Sequence, residues 1–119
     1  MTDEYDFDYL FEAGTLRGIV CQIGARADPS VNNVNSFAVI LFFELSDGTV
    51  VEVAKVDDSP HKKGTIHVDR YYRAKGADTK DFSVSISTIW EADEYLDNNW
   101  KRFVRTYIDN HGKQPRDDG

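Results

Sequence analysis

The stretch 36–45 constrains this chain more than any other. Phe37, Val39, Leu41 and Phe43 alternate onto one face of an extended segment, and Ala38, Ile40 and Phe42 onto the other. A strand that is apolar on both sides needs cover on both sides. Asp47-Gly48 then separates it from a second apolar run over 49–56, which is a strong local hairpin signal.

The remaining segments fit around this pair. Residues 16–25 read as an earlier strand, with Ile19, Cys21 and Ile23 at period two, followed by a Pro- and Asn-containing loop over 28–35. Residues 65–73 read as a further strand, 73–81 as a polar connection, and 81–87 as a strand alternating Phe82, Val84 and Ile86 with serines. A long helix closes the chain. Thr88 with Glu91 three residues on forms a capping box, Gly112 marks the stop, and Ile89, Ala92, Leu96, Trp100, Phe103 and Tyr107 recur at helical spacing. The opposite face, with Asp93, Asp97, Lys101, Arg102, Arg105 and Asp109, reads as solvated. His111 suits the negative end of the helix dipole.

The expected fold is therefore α+β: an antiparallel β-meander of about five strands packed by one long C-terminal helix. Residues 1–15, acidic but carrying Tyr5, Phe7, Tyr9, Leu10 and Phe11, read as a short helix or strap docking on that core; 16–112 form the single domain; 113–119 read as a disordered tail. If the strap leaves the second face of the 36–45 strand open, a homodimer partner must cover it.

With 119 residues, 14 Lys plus Arg and 21 Asp plus Glu, the chain is one acidic domain, large enough to fold without metal or disulfides. The lone Cys21, inside an apolar alternation, reads as a core thiol. No secretory leader and no membrane-length apolar run is evident, so a cytoplasmic protein without a membrane partner is expected. No Gly-rich phosphate loop, nucleophile elbow, His-Glu-x-x-His or cysteine pair is present, and no cofactor is expected.

Chemistry concentrates in one basic island. Residues 61–75 hold Lys62, Lys63, Arg70, Arg73 and Lys75 against Asp69, in a chain of net charge −7. The bland reading is a hairpin whose lysines solubilise and whose arginines pair with Asp57, Asp58 or Asp69. The sharper reading comes from register: with Ile66 and Val68 facing the core, His67, Asp69, Tyr71 and Arg73 share the opposite face, within reach of His61. Two imidazoles with cationic and phenolic partners suit metal-independent RNA cleavage, one accepting the 2′-hydroxyl proton and one protonating the leaving oxygen. His61, His67, Asp69, Tyr71 and Arg73 are then the catalytic candidates. Lys62, Lys63, Arg70 and Tyr72 are the substrate-binding ones, Tyr72 offering a face on which a base stacks. A metal site of His61, His67 and Asp69 is a further reading, opposed by the surrounding cations.

This stretch resembles the TumE-type toxin family of prokaryotic toxin–antitoxin modules. The residues that carry the resemblance are Asp57 or Asp58 through Ser59, Pro60 and His61, then His67, with Glu52 and the Asp47-Gly48 hairpin before them. It implies a toxin that attacks RNA through His61 and His67 and is neutralised by a cognate antitoxin. The alternative is a non-catalytic interaction or regulatory module that docks a partner through its basic hairpin, with Trp90 or Trp100 as an exposed anchor.

Overall fold

The computed structural model describes residues 6–58 and 66–116. Six strands follow one another as β1 (Tyr9–Leu16), β2 (Ile19–Ser30), β3 (Asn33–Glu44), β4 (Val50–Asp57), β5 (His67–Asp69) and β6 (Lys80–Asp81), and the helix α1 (Ile89–His111) ends the domain. The strands lie in the sheet in chain order, each antiparallel to the next, so the expected meander under one long helix is the fold.

The helix forms where its punctuation places it. The Thr88 side chain accepts from the Glu91 backbone N–H at 3.1 Å, and the Glu91 carboxylate accepts from the Ser87 N–H and hydroxyl, each at 2.8 Å. At the other end Gly112, at φ 72°, turns the chain out of the helix while its N–H reaches the Ile108 carbonyl. Between the caps, Ile89, Ala92, Leu96, Trp100, Phe103, Val104 and Tyr107 are buried against Val39, Leu41 and Phe43 of the sheet and their neighbours. At the first edge Gly14 gives the indole of Trp100 its place, since a Cβ there would collide with the ring atoms Cζ2 and Cη2. The charged face is solvated as expected, although Asp93 accepts from the Tyr9 hydroxyl and Asp109 pairs with Arg17.

Strand β3 is buried on both sides. Opposite the helix, Ile40 and Phe42 are 2% and 4% exposed. The cover comes from within the chain: the Phe7 ring stacks on Phe42 at 5.5 Å and lies against Gly24, where a Cβ would approach it to 2.7 Å. Glycine at that position lets an aromatic ring rest directly on the sheet.

Several elements differ from their expected form. The segment read as a helix or strap is, from Tyr9, an edge strand, because its aromatic residues at period two pair with β2 and send Tyr9 and Phe11 toward the core; residues 1–5 lie outside the described residues. The loop expected over 28–35 is mostly ladder. Pairing continues to Ser30 and Asn33, and the register shift between Asp28 and Pro29 absorbs the imino acid that cannot donate to it. The strand expected over 65–73 contracts to His67–Asp69 and the one over 81–87 to Lys80–Asp81. From residue 82 side-chain packing takes over from backbone pairing: the Phe82 ring meets His67 at 5.2 Å and Ile86 joins the core. In the tail, residues 113–116 are docked, with Lys113 donating to the Arg17 carbonyl, Tyr107 to that of Gln114 and Arg116 to that of Ala74, and 117–119 lie outside the described residues.

Two outcomes test this packing. Hydrogen bonds to Ser87 and Thr88 hold the Glu91 carboxyl below the ordinary glutamate range, so its charge stabilises the fold above the unfolded pKa and ceases to do so as pH falls through the folded one. Glu91→Gln therefore lowers the urea midpoint at pH 7, and the gap to wild type closes on acidification. Gly14→Ala, which forces the Trp100 indole aside, lowers stability by about 1–3 kcal/mol in the same urea titration.

Candidate functional site

The register of β4 with β5 sets the site. Asp57 stands opposite His67 and Lys55 opposite Asp69, and because His67 and Asp69 are two apart on one strand, all four project from the sheet face away from the helix. Lys80, opposite Asp69 on β6, joins them. His67 Nε2 lies 3.2 Å from Asp57 Oδ1 and 3.6 Å from Asp69 Oδ2, Lys80 Nζ lies 2.7 Å from Asp69 Oδ1, and Lys55 Nζ lies 3.6 Å from Asp57 Oδ2. The imidazole and both carboxylates are buried, whereas the side chains of Lys55 and Lys80 remain 25% and 39% exposed.

Tyr71 stands beside this cluster. Burial pushes its phenol above the ordinary tyrosine value, and the negative charges of Asp69, Glu52 and Asp57 and a hydrogen bond to Asp69 push in the same direction. The site therefore carries three carboxylates against two ammonium groups.

The structure thus brings together His67, Asp69 and Tyr71 of the sequence-derived set. The other candidates are placed differently. Arg73 does not share their face: it lies on the turn after β5 and donates to the Asp78 carbonyl, while Arg70 donates to the carbonyls of Asp78, Thr79 and Lys80. Both guanidiniums bond to the 70–80 connection, Arg70 through Nε and Nη2 and Arg73 through Nη1, and Arg70 thereby takes up the N–H fork that a phosphate contact uses. Tyr72 is stacked on Phe103 at 4.4 Å, so one face of its ring is already taken. His61, Lys62 and Lys63 lie outside the described residues. Cys21 is fully buried, and burial pushes its thiol up to about 11, as befits a core residue.

Asp57, Lys55 and Lys80 are the participants that sequence reasoning missed as site residues. A tight turn fixes which residues face each other across a hairpin, but here residues 58–66 separate the paired strands, and a connection of that length leaves the register free.

Around the cluster the surface is acidic. A cleft of about 710 Å³ is lined by Asp6, Asp8, Asp28, Asp57 and Asp58 against Arg26 and Lys55. Two of these acids are held by the backbone: Asp8 accepts from the Ala27 N–H at 2.7 Å and Asp58 from the Phe37 N–H at 3.1 Å. Asn35, Phe37 and Asp58 also line a second hollow of about 510 Å³, whose other walls include Val34, Ile66, Ile89 and Trp90. The two hollows share Asn35, Phe37 and Asp58; the first is acidic, and the second is mixed, with Ser87 and Thr88 beside its apolar walls. Trp90 is 55% exposed at the second, with its ring stacked on Tyr9 at 5.9 Å, whereas Trp100 is buried.

A family model described as Domain of unknown function (DUF7718) matches residues 8–113, a span that runs from β1 through α1. The chain belongs to the DUF7718 family. No curated protein and no solved structure matches it. Among the described residues, no helix of this DUF7718 domain is long and apolar enough to cross a membrane.

The buried cluster has a measurable consequence for stability. Asp69→Ala removes the carboxylate that faces both His67 and Lys80 and costs roughly 3 kcal/mol in urea unfolding, whereas Asp97→Ala, on the solvated helix face, stays within about 0.5 kcal/mol of wild type.

Proposed function

We propose that this DUF7718 domain is a non-catalytic interaction module of the cytosol that binds an extended, basic segment of a partner protein through the groove between Trp90 and the acidic cleft. The observation that carries this reading is Trp90 itself: a large aromatic residue, more than half exposed, stacked on Tyr9 at the rim of a hollow of mixed polarity. Rigid, partly exposed aromatics are the residues around which binding energy concentrates. Charge supplies the direction. The hollow adjoins a cleft that, among the described residues, holds five carboxylates and two cations, so a segment with an apolar or aromatic side chain beside lysines or arginines matches the pair.

RNA cleavage of the TumE kind, with a cognate antitoxin as partner, is the second reading. Its support is the contact of His67 with Asp57, since a carboxylate beside an imidazole is the arrangement that orients a general base. Against it stand the 3% exposure of His67 and the commitment of Arg70 and Arg73 to backbone carbonyls.

One experiment separates the two. A displayed library of random peptides is panned on the full chain, and the selected peptides are titrated by fluorescence polarisation against wild type, Trp90→Ala and Asp58→Asn. A mixed RNA pool is incubated with wild type and His67→Ala in parallel. The expected result is enrichment of peptides pairing an apolar residue with Lys or Arg, an affinity loss of about tenfold or more in Trp90→Ala, a smaller loss in Asp58→Asn, and intact RNA. Absence of enrichment, or RNA cleavage that disappears in His67→Ala, overturns the interaction reading.

A further inference from the structure

We infer that Asp57, His67 and Asp69 form a binding site for one divalent transition-metal ion of the zinc class. The inference is independent of the groove and of any partner bound there.

The donor set is mixed, one imidazole nitrogen and two carboxylate oxygens, which suits borderline cations such as Zn²⁺ better than Mg²⁺ or Ca²⁺. The donor atoms lie within 4.8 Å of one another, and among the described residues this is the one such grouping. Donors bound to zinc at roughly 2.0–2.2 Å with tetrahedral angles stand about 3.2–3.6 Å apart. The two separations from His67 Nε2, 3.2 Å and 3.6 Å, are of that size. In the metal-free protein His67 Nε2 lies within hydrogen-bond reach of Asp57, and Asp69 is paired with Lys80 and hydrogen-bonded to Tyr71. A cation between the three groups serves both carboxylates and the nitrogen lone pair together.

Three further features fit. The donors sit on neighbouring strands of a paired ladder, so the backbone preorganises them. Asp57 also lines the acidic cleft, which gives a cation a negatively charged route inward. The lysines are the competing cations. Lys80 and Lys55 hold Asp69 and Asp57 through flexible side chains that reach water, so an arriving metal ion displaces ammonium groups that solvent can take back. Glu52, with Asp57 and Asp69, leaves the surroundings of Tyr71 net negative even with both lysines in place. The sequence-based metal reading drew on His61; the site inferred from the structure uses Asp57 in its stead.

The test uses the full chain, stripped with EDTA and dialysed, then titrated with ZnCl₂ by calorimetry and with CoCl₂ by visible absorption, in wild type, His67→Gln and Lys80→Gln. The expected result is one metal ion per chain, d–d bands of Co²⁺ at low coordination number, and a thermal midpoint raised by Zn²⁺. In Lys80→Gln, which keeps a hydrogen-bond donor near Asp69 but removes the competing charge, affinity rises about tenfold, equivalent to about 1.4 kcal/mol. In His67→Gln the Co²⁺ bands are lost. The inference is overturned if the folded wild-type chain takes up no metal at millimolar Zn²⁺, if binding is unchanged in His67→Gln, or if Lys80→Gln binds no more tightly than wild type. Should His67→Gln fail to fold, the sign of the Lys80→Gln effect decides alone.

Discussion

The two-sided burial of β3 is the constraint on which the rest of this domain depends. A strand carrying Phe37, Val39, Leu41 and Phe43 on one side and Ile40 and Phe42 on the other loses its hydrophobic stabilisation unless both sides are covered. The helix covers the first side with an unbroken apolar stripe. The second side is covered in two ways: Phe7 lies over Gly24 and Phe42, and toward β5 the same face becomes polar, with Asp57, His67 and Asp69 buried and Lys55 and Lys80 pairing with the two carboxylates from nearer the solvent. Function, on this account, sits where the apolar cover ends.

What the sequence made legible follows from the range of the interactions involved. Hairpin chemistry at Asp47-Gly48, period-two alternation in β3 and the capping of α1 by Thr88 and Glu91 are local, and each appears in the structure. The short strands β5 and β6 were overextended because alternation in 65–73 and 81–87 signals only which way side chains point. Ladder length is decided by neighbours, and there Arg70 bonding to carbonyls and Phe82 packing on His67 replace continued pairing. The candidate site was half legible for the same reason. Alternation on one strand correctly grouped His67 with Asp69 and Tyr71, but Arg73 passes beyond the end of the strand, and Asp57, Lys55 and Lys80 come from other strands whose register no turn signal announces.

The two ends of the domain's working surface obey different physics. At Trp90 the surface offers aromatic contact area stacked on Tyr9, an ingredient of affinity; at the acidic cleft it offers charge, which steers and selects more than it binds. The buried cluster adjoins that cleft through Asp57 while remaining closed to a macromolecule, which suits a small cation and not a nucleic-acid backbone. A partner at the groove and a metal ion at the cluster are thus compatible occupants of neighbouring sites that meet at Asp57 and Asp58.

The account rests on the pairing of Asp57 with His67 across a strand of only three residues, and a crystal grown in Zn²⁺ with data collected on both sides of the zinc absorption edge examines it most directly. The account predicts one strong anomalous peak about 2.0–2.2 Å from His67 Nε2 and from an oxygen of each of Asp57 and Asp69, with Lys80 turned away from Asp69. A structure in which His67 lies apart from Asp57, or in which zinc binds elsewhere while the Lys80–Asp69 pair stays closed, would contradict it.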